Sequence, residues 1–235
     1  MLNTLKYYIK CFFNLFYPDI CVCCSNMLIN EENIICFHCL YSFPITGYKF
    51  DQSNKVAQIF WGRVKFNKAI ALYNYKKDKK FQNIIHKLKY KNNYKLGELM
   101  GEKLGDLIKK SFYEKIDFII TIPLHPKKYK IRGFNQSDSI AKGISNILSI
   151  DTNFNNVIRT RHTDSQTLKS REERIENVAN VFSVINKNLF ENKHILIVDD
   201  VITTGATMES CINELNKLPN IKISIASLAV ADDSF

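Results

Sequence analysis

Glycine is scarce in this chain: 8 of its 235 residues are glycine, against a usual share of about 7%. Collagen-like and glycine-rich linker sequences are therefore excluded. Apolar runs are also short, and none approaches the roughly 18 residues that a membrane-spanning helix needs. Low-complexity tracts are lacking too, and the one repeat is a doubled pair of cysteines. The length suits one full domain with a small appendage, since domains usually contain about 100–200 residues.

Acidic residues are outnumbered. Lys and Arg total 33 and Asp and Glu total 23, which gives a formal net charge of +10. Hydrophobic residues make up 46% and charged residues 24%, which is ordinary for a globular protein and excludes a largely disordered chain. A positive surplus favours an anionic partner, such as a phosphate compound, a nucleic acid or an acidic protein.

The first twenty residues are rich in aromatic side chains, which raises the question of a targeting segment. Lys6, Lys10 and Asn14 interrupt the apolar pattern, Pro18 ends it, and no small-residue cleavage site follows. We therefore expect no signal peptide, no stable membrane insertion and a cytoplasmic location. Residues 1–17 are predicted to form an amphipathic helix docked on the body, with weak membrane contact as the alternative.

Four cysteines form two pairs, Cys21-x-x-Cys24 and Cys36-x-x-Cys39. A two-residue gap lets one tight turn present two thiolates to one metal ion, and two such turns complete a tetrahedral Zn²⁺ site. Cys23 is an alternative to Cys24 as a ligand, although only Cys24 gives the two-residue gap. The predicted zinc ribbon would stabilise a segment too short to build its own hydrophobic core.

A polar, irregular stretch over residues 41–60 predicts a boundary between a zinc-ribbon region, 1–60, and a larger domain, 61–235. Strands are predicted at 69–75, 117–122, 194–198 and 221–228, and helices near 81–88, 96–108, 140–148 and 208–215. Polar and apolar residues alternate most in the strand at 221–228, which is typical of a strand nearer an edge. Alternating strands and helices predict an α/β fold with a doubly wound, mostly parallel sheet. Ligands bind beyond the carboxyl ends of such strands, here after Ile122 and after Val198.

The loop after Val198 carries the most informative pattern, in the sequence ILIVDDVITTGAT over residues 195–207. Backbone amides at a helix N-terminus, together with threonine hydroxyls, can hold a monophosphate. Carboxylates would repel that phosphate but suit the hydroxyls of an attached ribose. A strand–turn–helix connection with a threonine cap is the plain alternative. The candidate ribose ligands are Asp199 and Asp200, and the candidate phosphate cradle is Val201, Thr203, Thr204, Gly205, Ala206 and Thr207.

This stretch resembles the motif of type I phosphoribosyltransferases that binds 5-phosphoribosyl 1-diphosphate (PRPP). Two further segments follow the cysteine pairs in order: TIPLHP over 121–126, leading into a basic run and RGFNQ, and a second stretch that begins at Arg159. Together the motifs resemble the ComF family of competence proteins, which joins a zinc ribbon to a phosphoribosyltransferase domain. The resemblance covers the chain from Cys21 onward and implies a role in natural competence and DNA uptake.

Carried over by position, the resemblance implies a pyrophosphate-binding loop after the strand at 117–122. Its cations are Lys127, Lys128, Lys130 and Arg132, which on their own would suit a solvated basic loop. It also implies a mobile loop that closes over substrate, with Arg159, Arg161, Gln166, Arg171 and Arg174.

Such a site would displace pyrophosphate at the anomeric carbon of ribose, with Mg²⁺ bridging pyrophosphate and ribose oxygens. Asp199 and Asp200 would then be the catalytic residues that orient the ribose. The acceptor is not identified by any pattern in the sequence. Two functions stay open: a phosphoribosyltransferase, or a non-catalytic module of the uptake machinery. Such a module would bind phosphoribose or single-stranded DNA, or dock on a helicase-like competence protein.

Overall fold

The computed structural model describes residues 16–29, 31–75, 79–90, 93–111, 114–160 and 181–231. The N-terminal region carries a short bridge between Ile20 and Met27 and the helix α1, Phe37–Ser42. The helix α2, Lys55–Phe60, begins after Asn54, whose side chain accepts a hydrogen bond from the amide of Ala57. No helix in these ranges has both the length and the apolar character to cross a membrane.

Residues just before position 60 pack against the larger domain. Ile45 bridges Tyr73, and Asp51 bridges Ala69. The ring of Phe43 meets that of Tyr73 edge to face, with centroids 5.6 Å apart. The predicted domain boundary at residue 60 stays a prediction, and these contacts show that the chain on either side of it shares packed surfaces.

A four-stranded sheet organises the larger domain, and the four strands predicted from sequence are present. The strand predicted to end at Val198 continues to Ile202, so Asp199 and Asp200 lie in the strand rather than in the loop after it. The strands are β1, Ala69–Tyr75, β2, Phe118–Thr121, β5, His194–Ile202, and β6, Lys222–Ala231. They lie in the order β1-β6-β5-β2, and each neighbouring pair is parallel. A separate antiparallel pair joins β3, Val157–Arg159, to β4, Phe182–Val184.

The interpretation of residues 221–228 as a strand nearer an edge is wrong, because β6 lies between β1 and β5. Its alternating polar residues are Lys222, which is exposed at the start of the strand, and Ser224, which is fully buried; Ser227 is fully buried as well. The hydroxyl of Ser224 lies 2.9 Å from Nε2 of His194, and that of Ser227 donates to the carbonyl of Asp200 at 3.1 Å. Buried polar groups with partners are tolerated in a central strand, so the two serines report internal hydrogen bonds rather than solvent.

Helices cover both faces of the sheet, as the doubly wound prediction requires. The helices are α3, Lys79–Lys89, α4, Tyr94–Ser111, α5, Pro126–Arg132, α6, Gln136–Leu148, and α7, Ala206–Leu215. One buried cluster includes residues of α3, α4 and α6, and the other includes residues of α2 and α7. α4 and α6 touch through glycines: a Cβ on Gly101 would lie 2.1 Å from the carbonyl oxygen of Ile140. A side chain at Gly101 would therefore force α4 and α6 apart.

Candidate functional site

The loop after β5 forms a small hollow at the carboxyl edge of the sheet. Asp199 and residues 201–208 line a space of about 50 Å³. A hollow of this size suits one small polar group rather than a whole nucleotide. Thr203, Thr204 and Thr207 are exposed here, whereas Gly205 is buried. The threonine-rich stretch predicted as a phosphate cradle therefore presents its hydroxyls at a concave surface.

α7 begins at Ala206, two residues before the helical pattern predicted at 208–215. Its N-cap is Gly205, and the amide of Glu209 makes the first helical bond, to the carbonyl of Gly205 at 2.8 Å. The amide of Ala206 lies 3.4 Å from the hydroxyl of Thr204. First-turn amides of a helix lack intrahelical acceptors and carry partial positive charge. The loop and helix thus aim amides and hydroxyls at the hollow, a pattern suited to an oxyanion.

Gly205 is needed for two physical reasons. Its φ of +74° lies in the left-handed region, and a Cβ there would lie 2.8 Å from Cγ2 of Ile59 and 2.9 Å from Cε1 of Phe60. The end of α2 therefore presses directly on the back of the loop. Arg63 holds the same loop by donating from Nη1 to the carbonyl of Thr204 at 2.9 Å and by pairing with the carboxylate of Glu209. No motif in the sequence marks residues 59–63 as a support for this loop.

The two acids at the end of β5 occupy different surroundings. Asp199 is half-buried and lines the hollow, and its Oδ1 accepts from the hydroxyl of Ser137 at 3.1 Å. Asp200 is buried below it, and its carboxylate accepts from the amide of Val201 at 2.8 Å and from Nε2 of Gln136 at 3.1 Å. Burial and the neighbouring Asp200 raise the pKa of Asp199 to about 7. Asp199 is therefore placed to meet a ligand, whereas Asp200 is held inside a network.

That network begins at the N-terminus of α6. In the sequence, this position is marked only by the end of the RGFNQ motif. Asn135 caps the helix by accepting from the amide of Ser137, and its Nδ2 donates to the carbonyl of Ile122 at 3.1 Å. Asp138 accepts from the hydroxyl of Thr121 at 2.6 Å. Burial raises the pKa of Asp138 to about 6, although the hydrogen bonds from Thr121 and Asn135 oppose the rise. The end of β2 and the start of α6 are thus joined at the edge where β5 also ends.

The basic run after β2 is not a loop, which corrects the sequence prediction. It forms α5, which Pro126 begins and His125 caps by accepting from the amide of Lys127; Gly133, at φ 76°, ends it. Lys127, Lys128 and Lys130 are exposed on this helix. Their assignment to pyrophosphate binding stays a prediction.

Arg132 reaches back from the end of α5 toward the acids. Its Nη1 donates to Oε1 of Gln136 at 2.8 Å, and its guanidinium lies 5.8 Å from the centroid of the Tyr90 ring. The sequence patterns do not indicate a further cation near the acids: Nζ of Lys89 lies 3.4 Å from Oδ2 of Asp200. No motif marks Lys89, since lysine is common throughout the chain and its helix reads as ordinary surface.

Arg159 lies in β3, and its guanidinium is 5.6 Å from the centroid of the Phe182 ring. Burial lowers the pKa of Arg159. The other residues predicted for the mobile loop lie outside the described residues: Arg161, Gln166, Arg171 and Arg174.

Four cysteines of the N-terminal region come together as their spacing predicts. The sulfurs of Cys21, Cys24, Cys36 and Cys39 all lie within 4.8 Å of one another, and those of Cys24 and Cys36 are 3.7 Å apart. Tetrahedral Zn–S bonds of about 2.3 Å place sulfurs roughly 3.8 Å apart. Cys23 is buried outside this set. The cluster can thus hold a metal ion such as zinc.

Hydrogen bonds already favour a thiolate in this cluster. Burial opposes ionisation, but the backbone amides of Cys36, Cys24 and Cys23 outweigh it and lower the pKa of the Cys21 thiol to about 7. Burial raises the pKa of the Cys39 thiol. A bound cation would reverse that cost, since metal-bound thiols are deprotonated.

Comparison with known proteins identifies the class of the larger domain. Residues 135–233 match the family model of the phosphoribosyl transferase domain. The parallel α/β sheet agrees with this match and is of the type I phosphoribosyltransferase kind. Solved structures align over part of the chain at low identity. One is glutamine PRPP amidotransferase from B. subtilis, with 16% identity, 61% of this chain and 30% of that chain covered, and a TM-score of 0.43.

The particular relatives are competence and DNA utilization proteins. Competence protein F of Haemophilus influenzae is 29% identical over 224 residues, which cover 90% of this chain and 96% of that protein. Competence protein ComFC of Streptococcus pneumoniae is 26% identical over 203 residues, 82% of this chain and 84% of the relative. DNA utilization protein YhgH of Escherichia coli is 37% identical over 92 residues, 39% and 40% of the two chains. The chain is thus a homologue of competence protein F and ComFC with a phosphoribosyl transferase domain, which confirms the resemblance drawn from its motifs.

Proposed function

We propose that the protein binds PRPP or a related 5-phosphoribosyl ligand at the carboxyl edge of the sheet. The observation that carries this proposal is the hollow after β5, where a half-buried carboxylate, Asp199, stands beside three exposed threonines and a helix N-terminus. The 5-phosphate would occupy the hollow, and Asp199 would accept from a ribose hydroxyl. The phosphoribosyl transferase domain match over 135–233 supports the same ligand class.

Transfer chemistry at this site would break the bond between the anomeric carbon and a diphosphate oxygen and form one to an acceptor. The chain would contribute positioning and charge neutralisation and would need no nucleophile of its own. One accessible carboxylate, Asp199, together with ligand oxygens is a donor set that Mg²⁺ accepts. When bound, Mg²⁺ would offset negative charge on the departing diphosphate.

Isothermal titration of PRPP with Mg²⁺ tests the proposal. Replacing Asp199 by asparagine removes a charged acceptor, so Asp199→Asn should weaken binding about 10- to 100-fold, the equivalent of a lost charge-assisted hydrogen bond. Asp151→Asn removes the same charge from an exposed position after α6 and should bind as wild type does. Unchanged affinity in Asp199→Asn, or no binding by wild type, would contradict the assignment.

A pyrophosphate-release assay with a panel of bases, amines and single-stranded DNA distinguishes a transferase from a non-catalytic binding module. The second candidate function, a non-catalytic single-stranded-DNA-binding or docking module, is favoured by the net charge of +10 and by the exposed lysines of α5. The relatives named for competence and DNA utilization support a place in DNA uptake, in which a helicase-like protein is the expected partner. Release that depends on one acceptor selects the transferase; tight PRPP binding without release selects the module.

For the N-terminal cluster we propose one structural Zn²⁺ per chain. Four thiolates with no place for water or substrate define a closed site, which stabilises a fold rather than performing chemistry. The 3.7 Å between the sulfurs of Cys24 and Cys36, with all four sulfurs within 4.8 Å of one another, supports this proposal.

A further inference from the structure

We propose that Lys89 is a binding residue for the diphosphate group of the phosphoribosyl ligand. This inference rests on the proposed function and adds a cation from α3, an element that the phosphoribosyl-binding motifs do not include. Among the residues that the structure describes, Lys89 is the cation in ion-pair contact with the twin acids. It therefore stands beside the position where the ribose would be held.

The charges around Asp200 connect Lys89 with the basic end of α5. Gln136 donates from Nε2 to Oδ2 of Asp200 and accepts at Oε1 from Arg132. Lys89 contacts the same Oδ2 from the other helix, and Arg132 lies over the ring of Tyr90, the residue that follows Lys89. Lys89 on α3 thus contacts the carboxylate of Asp200 directly, and Arg132 on α5 is connected to it through Gln136. A diphosphate next to the ribose would meet both.

Lys89 is not needed to satisfy Asp200 as a buried acceptor. Neutral donors already serve both oxygens: the amide of Val201 at 2.8 Å and Gln136 at 3.1 Å. The Lys89 contact is longer, 3.4 Å, than the usual 2.7–2.9 Å of a strong charge-assisted bond. Its side chain is 30% exposed, so the ammonium group can reach solvent. Lysine is a flexible point charge that suits phosphate oxygens.

The alternative is that Lys89 only fastens α3 to the sheet. The two roles differ in what they do to two ligands that share the ribose and the 5-phosphate. A diphosphate-binding lysine affects PRPP and spares ribose 5-phosphate. A fastening lysine affects both ligands equally, or affects neither.

Calorimetric titration of PRPP with Mg²⁺ and of ribose 5-phosphate makes the test, with thermal unfolding measured alongside. Lys89→Gln should lose about 10- to 100-fold in affinity for PRPP and keep its affinity for ribose 5-phosphate within about twofold. Lys89→Arg, which keeps the charge, should recover most of the PRPP affinity. The matched control is Lys95→Gln, which removes one exposed charge from α4 and should match wild type for both ligands.

The outcomes separate this inference from the proposed function. Equal losses for both ligands, unchanged PRPP affinity, or failure of Lys89→Gln to fold would each overturn the role given to Lys89 while leaving PRPP binding by wild type intact. Absence of PRPP binding by wild type would instead overturn the proposed function, and the role of Lys89 with it.

Discussion

The substitution Gly205→Ala perturbs the hollow after β5 from the side of α2, without removing any polar group. Alanine would have to adopt a φ of +74° and place its Cβ 2.8 Å from Ile59 and 2.9 Å from Phe60. Both neighbours belong to α2 and are buried. The loop must therefore move away from α2 or displace two core side chains.

The expected cost has two parts. A left-handed conformation costs a non-glycine residue roughly 1–2 kcal/mol, and overpacking a core adds about 1–3 kcal/mol. Gly62 provides a matched control, because its φ is +70° and a Cβ there would meet nothing within 4 Å. Gly62→Ala should therefore show the conformational part alone. Any effect of alanine on the unfolded chain is common to both variants and cancels in the comparison.

Urea unfolding of wild type and the two variants measures the difference. We expect Gly205→Ala to be less stable than Gly62→Ala by about 1–3 kcal/mol. We also expect it to lose affinity for PRPP, because the displaced loop carries the amides and hydroxyls of the hollow. Equal stability of the two alanine variants would refute the argument that α2 supports the loop. Equal PRPP affinity in Gly205→Ala and wild type would show that the loop position does not matter for binding.

Two further predictions concern the metal cluster and the acid pair. Cys39→Ser should abolish stoichiometric zinc in elemental analysis, whereas Cys23→Ser should retain it. If Cys39→Ser kept the zinc and Cys23→Ser lost it, Cys23 rather than Cys39 would be a ligand. The pKa of Asp199 in the folded chain, about 7, lies above its ordinary value of about 3.9, so between these pH values the folded chain keeps a proton that the unfolded chain releases. Asp199 therefore destabilises the fold increasingly from about pH 4 to pH 7. The stability of Asp199→Asn relative to wild type should rise over this window and then level off; a difference independent of pH would contradict the shift.

Local patterns predicted the parts of the fold that depend on local physics. Continuous apolar runs identified β5 and β2 because a parallel strand covered on both faces needs apolar side chains throughout. The paired cysteines revealed their cluster because two-residue gaps fix the direction of both thiols. The same reasoning failed for β6, where the serines Ser224 and Ser227 interrupt the apolar residues but are buried. A hydroxyl that bonds inside the sheet and one that faces water look the same in a sequence.

The parts of the site that were missed depend on contacts between distant segments. Lys89 reaches Asp200 across 111 positions, and Arg63 reaches Thr204 across 141. Neither residue lies in a motif, and each would read as an ordinary surface cation. Their partners are set by how α3 and the end of α2 pack on the sheet, which no local periodicity reports.

The start of α6 explains why the edge of this sheet can act as one site. Asn135 ties the helix to the end of β2, while Gln136 and Ser137 bond to the acids at the end of β5. Consecutive residues of one helix terminus therefore connect two strand ends, and Gln136 continues the connection to Arg132 on α5. A ligand that displaced Asp199 or Asp200 would pull on the same residues that place Arg132. Because Asp199, Asp200 and Arg132 all connect to this terminus through side-chain hydrogen bonds, a ligand that binds the acids and one that binds Arg132 would act on the same three residues, Arg132, Gln136 and Ser137.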